Sequence, residues 1–236
     1  MTLKQTLSSG LAAMSLDLPQ ATQQKLLDYL TLLAKWNKVH NLTAVRELDN
    51  MVTLHLLDSL SVLAHLNSQH VLDVGSGAGL PGIPIALVRP DCQVTVLDSS
   101  HKKATFLRQA KAELGLQTLE VVCQRVEQYQ PENKFQVIVS RAFSDLSEFV
   151  CLTKHLCAEG GTWLAMKGVH PYDELEQIRH MRTQVLPLNV PGLDAQRHLV
   201  SITTGRYSRL PTKKAVWARL RPALIWPPVW PPPNVV

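Results

Sequence analysis

The sequence predicts an α/β protein in which a mostly parallel β-sheet carries helices on both faces. From residue 71 onward, short apolar runs of strand length alternate with longer runs of helical period. Before residue 71 the apolar residues follow a helical period without any strand pattern, and the last 27 residues are rich in proline. Because each crossover between parallel strands packs its helix on a face of the sheet, we expect one α/β domain preceded by helices.

Residues 1–70 are predicted to form helices. The segment ATQQKLLDYLTLLAKWNK follows Pro19 and opens a first apolar stripe, and NMVTLHLLDSLSVLAHL contains a second. The first stripe comprises Leu26, Leu30, Leu33 and Val39, and the second comprises Leu56, Leu60 and Leu63.

The alternating region contains five predicted parallel strands. They are VLDV, QVTVLD, TLEVVCQ, FQVIVSRAF and GGTWLAMKG. The predicted helices are GLPGIPIALVRP, SHKKATFLRQAKAELG, DLSEFVCLTKHLC and YDELEQIRHM, of which the second ends at a capping glycine, Gly115. TQVLPLNV and RHLVSIT are predicted to close the sheet as an antiparallel pair.

A glycine turn, VLDVGSGAGLPGIPIAL, joins the first strand to its helix. Gly75, Gly77 and Gly79 stand at every second position after that strand. Glycine permits a tight turn and a close approach of ligand to backbone, and the carboxyl edge of a parallel sheet is where ligands bind. The turn therefore predicts a nucleotide-like ligand.

Two ligand classes compete for this turn. The dinucleotide fingerprint G-x-G-x-x-G follows its strand directly, but the match at residues 77–82 starts three residues past the strand end. Counted from that end, Leu80 stands where the third glycine should be, and Pro81 and Pro84 remove amides that a pyrophosphate would use. S-adenosylmethionine, which has a ribose and an amino-acid end but no phosphate, fits this turn better.

Two carboxylates accompany the turn. Asp98 ends the second strand, 23 residues after Gly75, where an acid can accept both ribose hydroxyls; the alternative is that it caps the next helix. Asp73 lies inside the first strand, where it either organises the turn amides, faces the ligand's sulfonium and amino group, or is an ordinary buried polar residue.

The composition indicates a globular protein, with 45% hydrophobic and 18% charged residues. No apolar run is long enough for a membrane span, and the N-terminus lacks a secretory signal, so we expect no membrane contact. Four scattered cysteines without a CxxC pair suggest a reducing cytoplasm, and no His/Cys cluster suggests a metal. Seven basic residues and no acidic ones follow Asp194, so the net charge of +5 becomes −2 for residues 1–194.

Several motifs occur together in one order: KWNKVHNLTAVRE, HLLDSL, LDVGSGAGLPGIPIALVRP, LDSSHKKATFLRQ, VEQYQ, VIVSRAF and MKG. In these the chain resembles the bacterial small-subunit ribosomal RNA guanine-N7 methyltransferases, also called the glucose-inhibited division protein B family. The resemblance covers roughly residues 20–203. It implies a Rossmann-like, seven-stranded methyltransferase sheet with an N-terminal helical cap, S-adenosylmethionine as cofactor, and 16S rRNA of the small ribosomal subunit as partner.

The family's cofactor contacts, carried over residue by residue, fall on positions that hold the expected residue type or a near equivalent. They are Gly75, Leu80, Val126, Glu127 and Arg141, and Asp98 matches the ribose position of the wider fold. From the residues alone, Glu127 could be a solvated loop charge, and Arg141 could bind a carboxylate, bind an RNA phosphate, or pair with a neighbour such as Asp145.

The expected reaction needs no acid or base. Guanine N7 carries a free lone pair, and the chain lacks the N/D-P-P-Y/F motif of amino-group methyltransferases, so we assign no catalytic residue and no metal ligand. N7 is out of reach in an RNA helix, so the target, implied to be in the decoding-region loop, must be in a loop or flipped out. The segment HNLTAVRE is a candidate RNA-facing loop; the alternative is a turn between helices with Thr43 as an N-cap. The other candidate RNA-facing residues are Lys35, Arg46, Arg89, Lys102, Lys103, Arg108, Lys167 and Arg197.

Two other functions stay open at this stage: methylation of a small molecule or protein, and a non-catalytic role in ribosome assembly. A nicotinamide dehydrogenase is disfavoured by the glycine spacing. We expect a cytoplasmic monomer with a helical cap at 1–68, a methyltransferase domain at 69–203, and a basic, Pro/Trp-rich tail at 204–236 that departs from the family and is predicted to be disordered.

Overall fold

A computed structural model describes residues 2–141, 143 and 145–204. The α-helices are α1 (Leu3–Ala13), α2 (Gln20–His40), α3 (Leu48–Met51), α4 (Asp58–Leu60), α5 (Gly82–Val88), α6 (His101–Leu114), α7 (Leu146–Thr153) and α8 (Tyr172–Gln177). The strands are β1 (His70–Val74), β2 (Gln93–Leu97), β3 (Leu119–Val122), β4 (Phe135–Ser140), β5 (Cys157–Lys167), β6 (Arg182–Pro187) and β7 (His198–Thr203). A π-helical segment (Val52–Leu57) joins α3 to α4, and 3₁₀ turns lie at Leu63–His65 and Val126–Gln128.

The seven strands form one sheet in the order β3-β2-β1-β4-β5-β7-β6. Strands β1 to β5 run parallel to one another, whereas β7 pairs antiparallel with both β5 and β6. The predicted seven-stranded α/β fold and its closing antiparallel pair are therefore confirmed. The strand order reverses between β1 and β4, which opens a crevice at the carboxyl ends of the strands, where ligands bind in this class of sheet.

Each central strand is buried on both faces, so its side chains alternate between two cores. In β4, Val137 and Val139 face the core that contains α1, α2, α5 and α6, while Ile138 faces α7 and the end of α8. In β5, Leu164 and Trp163 alternate in the same way. A strand buried on both faces reads as a continuous apolar run, which is why the sequence pattern located these strands well.

The N-terminal helices pack into the same core as one face of the sheet. Helix α2 begins and ends within two residues of its predicted segment, but the prediction for its stripe was wrong at Val39, which is 75% exposed. The position four residues after Leu33 is Asn37, and this buried polar residue continues the stripe. Its side chain binds the backbone of Thr43 and Val45, so it holds the following loop.

The sequence predicted one regular helix over NMVTLHLLDSLSVLAHL. The structure differs from this prediction, because a π-helical segment interrupts the helix at Val52–Leu57. Leu56 and Leu60 are buried, and Leu63 is partly buried in the following 3₁₀ turn. A π-helical turn holds one residue more than an α-helical turn, so it rotates everything that follows it. Here it keeps the leucines in the core and brings Asp58 to the crevice.

Three helices are shorter than predicted: α7, predicted over 145–157, ends at Thr153, and α5 and α8 are shortened as well. Gly115 caps α6 in the left-handed region, as predicted. Helix α5 begins only at Gly82, since the preceding residues form the turn, and α8 ends at Gln177. Within the described residues, no helix is long and apolar enough to cross a bilayer. The tail prediction falls almost wholly on residues 205–236, which lie outside the described residues.

Candidate functional site

The glycine turn after β1 adopts backbone angles that only glycine accepts readily. Gly75, Gly77 and Gly79 have φ values of 68°, 60° and 90°. A Cβ at Gly79 would also lie 2.4 Å from the Cδ1 of Ile83. The turn is thus fixed by backbone conformation at each glycine and by close packing at the last one.

Asp73 organises this turn from below. Its Oδ2 accepts hydrogen bonds from the Ser76 hydroxyl and from the Gly82 amide, at 2.8 Å for the amide. The side chain is fully buried, and burial raises the pKa of its carboxyl to about 6. Of the interpretations given above, the organisation of the turn is therefore the one that the contacts support.

Asp98 faces the turn from the end of β2. Its Oδ2 accepts the Gly77 amide at 3.0 Å and lies 3.4 Å from the Lys103 Nζ, while Oδ1 accepts the Ser100 amide at 2.9 Å. The alternative reading of Asp98 as a helix cap is wrong, because Ser100 is the N-cap of α6. The carboxylate is held in one orientation and keeps lone pairs for further donors.

A first cavity of about 300 Å³ opens beside Asp98 at the carboxyl ends of β1, β2 and β3. Four of the predicted cofactor residues line it together: Gly75, Asp98, Val126 and Glu127. Lys103 and Phe143 complete the polar and the apolar side of its wall. We call it the nucleoside cavity, because it presents a carboxylate beside a glycine backbone and an apolar wall.

The other predicted cofactor residues do not line this cavity. Gly77 donates its amide to Asp98, and Gly79 packs against Ile83. Leu80 is 5% exposed and belongs to the core between the sheet and the N-terminal helices. Arg141 lines a second cavity.

This second cavity, of about 410 Å³, lies across the switch point, at the carboxyl ends of β4 and β5. Three cationic side chains line it, those of Arg141, Lys167 and Arg197, against one carboxylate, that of Asp58. We call it the cationic cavity. Lys167 is also tied to Glu174 at 2.6 Å and to the Phe143 carbonyl at 3.1 Å.

Asp58 bridges the two arginines. Its Oδ2 lies 2.9 Å from the Arg141 Nη1, and its Oδ1 lies 3.1 Å from the Arg197 Nε. Arg141 also donates to the Leu54 carbonyl at 3.2 Å. Arg141 therefore forms an ion pair, as one alternative had it, but with Asp58 and not with Asp145, which caps α7 instead.

The HNLTAVRE loop forms the wall of the cationic cavity on the side of the N-terminal helices. Thr43 and Val45 line it, and the Thr43 hydroxyl lies 2.9 Å from the His55 Nε2. Thr43 is not a helix N-cap, since α3 begins at Leu48 after Glu47. Burial lowers the pKa of His55 to about 4, so its imidazole is neutral near pH 7.

Tyr29 connects the N-terminal helices to the glycine turn. Its fully buried hydroxyl donates to the Ala78 carbonyl at 2.7 Å. The same helix reaches the end of α6 through Lys25, whose Nζ donates to the Leu114 carbonyl at 3.2 Å. Helix α2 therefore braces the ligand-binding turn from outside the sheet.

Sequence reasoning did not single out Asp58 or Tyr29. Asp58 lies in LHLLDSL, and a lone carboxylate inside an apolar helical run was the signal that could have revealed it, because a buried charge needs a partner. Tyr29 shows no such signal, since a tyrosine in an amphipathic helix is ordinary. Among the described residues, no cluster of three or more His, Cys, Asp or Glu is placed to hold a metal.

Comparisons of the sequence with known proteins all point to the same family. Residues 22–200 match the GidB family model, described as rRNA small subunit methyltransferase G. A protein of Methylobacillus flagellatus named ribosomal RNA small subunit methyltransferase G is 58% identical over 205 residues, which cover 87% of this chain and all of the relative. A protein of the same name from Laribacter hongkongensis is 55% identical, covering 86% of this chain and 99% of the relative.

Solved structures share the fold at low sequence identity. The O-methyltransferase TomG of Streptomyces achromogenes, solved with S-adenosylmethionine, is 15% identical, with a TM-score of 0.52 over 87% of this chain and all of that one. An S-adenosylmethionine-dependent methyltransferase of Aquifex aeolicus is 20% identical, with a TM-score of 0.50 over 64% of this chain and 92% of the other.

Proposed function

Because the chain belongs to the ribosomal RNA small subunit methyltransferase G family, we propose that it methylates N7 of a guanine in the decoding-region loop of 16S rRNA. It is an S-adenosylmethionine-dependent rRNA methyltransferase. One observation supports the finer proposal more than any other. A cavity suited to a nucleoside and a cavity suited to polyanionic RNA lie side by side at the switch point of the sheet.

The nucleoside cavity fits S-adenosylmethionine. Asp98 is oriented by three donors and can still accept ribose hydroxyls, and the absence of a side chain at Gly75 lets the cofactor approach the backbone. Val126 and Glu127 flank the same space, where an adenine has both an apolar surface and an acceptor. When bound, the cofactor supplies a methyl group on a positively charged sulfur.

The cationic cavity fits the acceptor RNA. Three of the four charged side chains that line it are positive, and with Glu174, which pairs with Lys167, the five charges sum to +1, so it attracts phosphate although each cation has a carboxylate partner. Arg141 lies on the β4 side of the switch point, next to the strand that carries the glycine turn. We propose that Arg141 marks the boundary at which the cofactor's methionine end meets the acceptor base.

The residues of both cavities position their ligands, and none of them needs to move a proton. Guanine N7 offers its lone pair directly, so no group has to deprotonate it. Asp58 is engaged by two guanidinium groups, and the neutral His55 is held by the Thr43 hydroxyl. Alignment of the two ligands and exclusion of water therefore account for the rate.

We also propose that the protein acts as a monomer in the cytoplasm, and that residues 1–68 act as a cap, 69–203 as the methyltransferase domain and 204–236 as a separate tail. Methyl incorporation into protein or small molecules would favour the alternative substrates. A purified chain that binds cofactor but transfers no tritiated methyl group would favour a non-catalytic assembly role.

The proposed function is tested by mapping 7-methylguanosine in 16S rRNA from a strain that lacks this gene, by primer extension after borohydride and aniline cleavage. We expect one position in the decoding region to lose the methyl group and to regain it when the wild-type chain is supplied. Asp98→Asn should restore it poorly, because the amide lacks the second carboxylate oxygen.

Asp91→Asn is the matched control. Asp91 makes an exposed ion pair with Arg89 at the opposite end of β2, so this variant should restore methylation fully. An unchanged pattern of 7-methylguanosine in the deletion strain would overturn the proposal.

A further inference from the structure

An aromatic cluster lies on the connection between β5 and α8. The rings of His170 and Tyr172 stack with centroids 3.9 Å apart and planes inclined by 28°. His198, the first residue of β7, packs edge-on against His170 at 5.4 Å. The cluster is thus anchored to the sheet at one end and reaches the surface at the other.

Tyr172 presents an open ring face. It is 73% exposed although one face of its ring lies on His170, so the accessible area belongs to the opposite face and the edges. Val169, two residues before Pro171, is 77% exposed on the same connection. Among the described residues these two and Val39 are the large hydrophobic side chains most open to solvent, and Tyr172 is the one aromatic ring in that group.

The cluster adjoins the cationic cavity. Lys167 and Gly168, which begin the connection, both line that cavity, and Arg197 precedes His198 directly. A Cβ at Gly168 would lie 3.7 Å from the Arg197 Nη1, so the connection runs alongside this arginine. An open aromatic face therefore continues the surface of a cavity that carries three positive side chains.

We propose that the His170–Tyr172 stack is a platform for one unpaired base of the RNA, next to the base that is methylated. This proposal rests on the proposed function. Bringing a guanine N7 to the cofactor requires a base outside a helix, so a neighbouring base loses a stacking partner. Tyr172 replaces that partner, and the arginines hold the adjoining phosphates.

The charges around the platform favour a base over a phosphate at Tyr172 itself. Asp173 follows directly and is exposed, and Glu174 is neutralised by Lys167. The negative charge of Asp173, one residue further on, disfavours a phosphate near the ring, whereas an uncharged base is not repelled. The phosphate contacts are therefore expected on the side of Arg197.

The experiment compares the wild-type chain with Tyr172→Ala and Tyr172→Phe. Binding of 16S rRNA and of the small ribosomal subunit is measured by filter binding with S-adenosylhomocysteine present, and methyl transfer is measured in parallel to obtain KM and kcat. Val39→Ala is the matched control, because it removes an equally exposed hydrophobic side chain from α2. Calorimetry with S-adenosylhomocysteine checks that each variant is folded and binds cofactor.

We expect Tyr172→Ala to weaken RNA binding and to raise KM by about fivefold or more, the scale of one lost base stack, with kcat and cofactor affinity unchanged. Tyr172→Phe and Val39→Ala should stay within about twofold of the wild type. Equal RNA affinity for Tyr172→Ala and the wild type overturns the platform, as does a loss in Tyr172→Phe as large as that in Tyr172→Ala.

The two RNA substrates separate the remaining cases. An effect on the subunit without an effect on free rRNA means that Tyr172 contacts a ribosomal protein, and this also overturns the platform. Wild-type methylation of N7 with no dependence on Tyr172 overturns the platform and leaves the proposed function standing. RNA binding that depends on Tyr172, without any N7 methylation, overturns the proposed function and leaves Tyr172 as a base-stacking residue.

Discussion

Removal of the Tyr29 hydroxyl should weaken both the fold and the cofactor site. In Tyr29→Phe the ring stays in its fully buried place, but the Ala78 carbonyl in the glycine turn loses a donor at 2.7 Å. A buried carbonyl left without its donor costs about 1–3 kcal/mol. We therefore expect the free energy of unfolding to fall by about 1.5 kcal/mol. We expect the cofactor to use about 1 kcal/mol of its binding free energy to order the loosened turn, which lowers cofactor affinity about fivefold.

The assay pairs urea unfolding with calorimetry of S-adenosylhomocysteine binding. Thr153→Val serves as the control, because it removes another fully buried hydroxyl, one that donates to the Phe149 carbonyl and accepts from the Trp163 indole in the opposite core. This control should lose at least as much stability as Tyr29→Phe and bind cofactor normally. If both variants lose stability and both bind cofactor like the wild type, α2 supports the fold but does not hold the turn for its ligand.

Two further predictions concern the cationic cavity. Asp58→Asn should lower the free energy of unfolding by about 2 kcal/mol and raise KM for rRNA, because two guanidinium groups lose the carboxylate between them. The two arginines are a quarter exposed, which makes this cost smaller than that of breaking a fully buried ion pair. As the control, Asp91→Asn should change neither the free energy of unfolding nor KM. Burial lowers the pKa of His55 from 6.5 to about 4. As pH falls, His55 therefore takes up a proton in the unfolded protein before it does so in the native protein. The native state loses the corresponding stability as pH falls from about 6.5 to 4. Urea unfolding at pH 7 and pH 4.5 should therefore show the wild type losing about 2–3 kcal/mol more than His55→Gln between the two values, and parallel losses would refute this.

The order of strands and helices could be predicted from the sequence because the central parallel strands are buried on both faces and several of the connections carry glycine or proline. The glycine turn and Asp98 followed from the same logic, since both stand at strand ends that a parallel sheet brings together. The exposure of Val39 could not be seen, because the stripe of α2 continues through a polar residue, Asn37, whose hydrogen bonds depend on the loop at Thr43. Polar residues that complete a core leave no apolar signal.

The cationic cavity was harder to predict than the nucleoside cavity. Its charged residues come from the start of α4, from the ends of β4 and β5, and from the loop before β7, and Asp58 and Arg197 are 139 residues apart. No spacing in the sequence predicts that these two meet. From the sequence, Lys167 and Arg197 were only two of the basic residues that could contact RNA, and the ion pair with Asp58 is what distinguishes Arg197 in the structure.

The π-helical turn at Val52–Leu57 makes the placement of Asp58 a matter of residue count. One α-helical residue advances the chain by about 100° around its axis, so the same residues wound as an ordinary α-helix would turn Asp58 away from both arginines. Because the π-helical turn holds one residue more than an α-helical turn, deletion of one residue from it would leave an α-helix on which Asp58 keeps its direction. At this turn, helix type and residue count compensate each other, and a change in either one alone displaces the carboxylate.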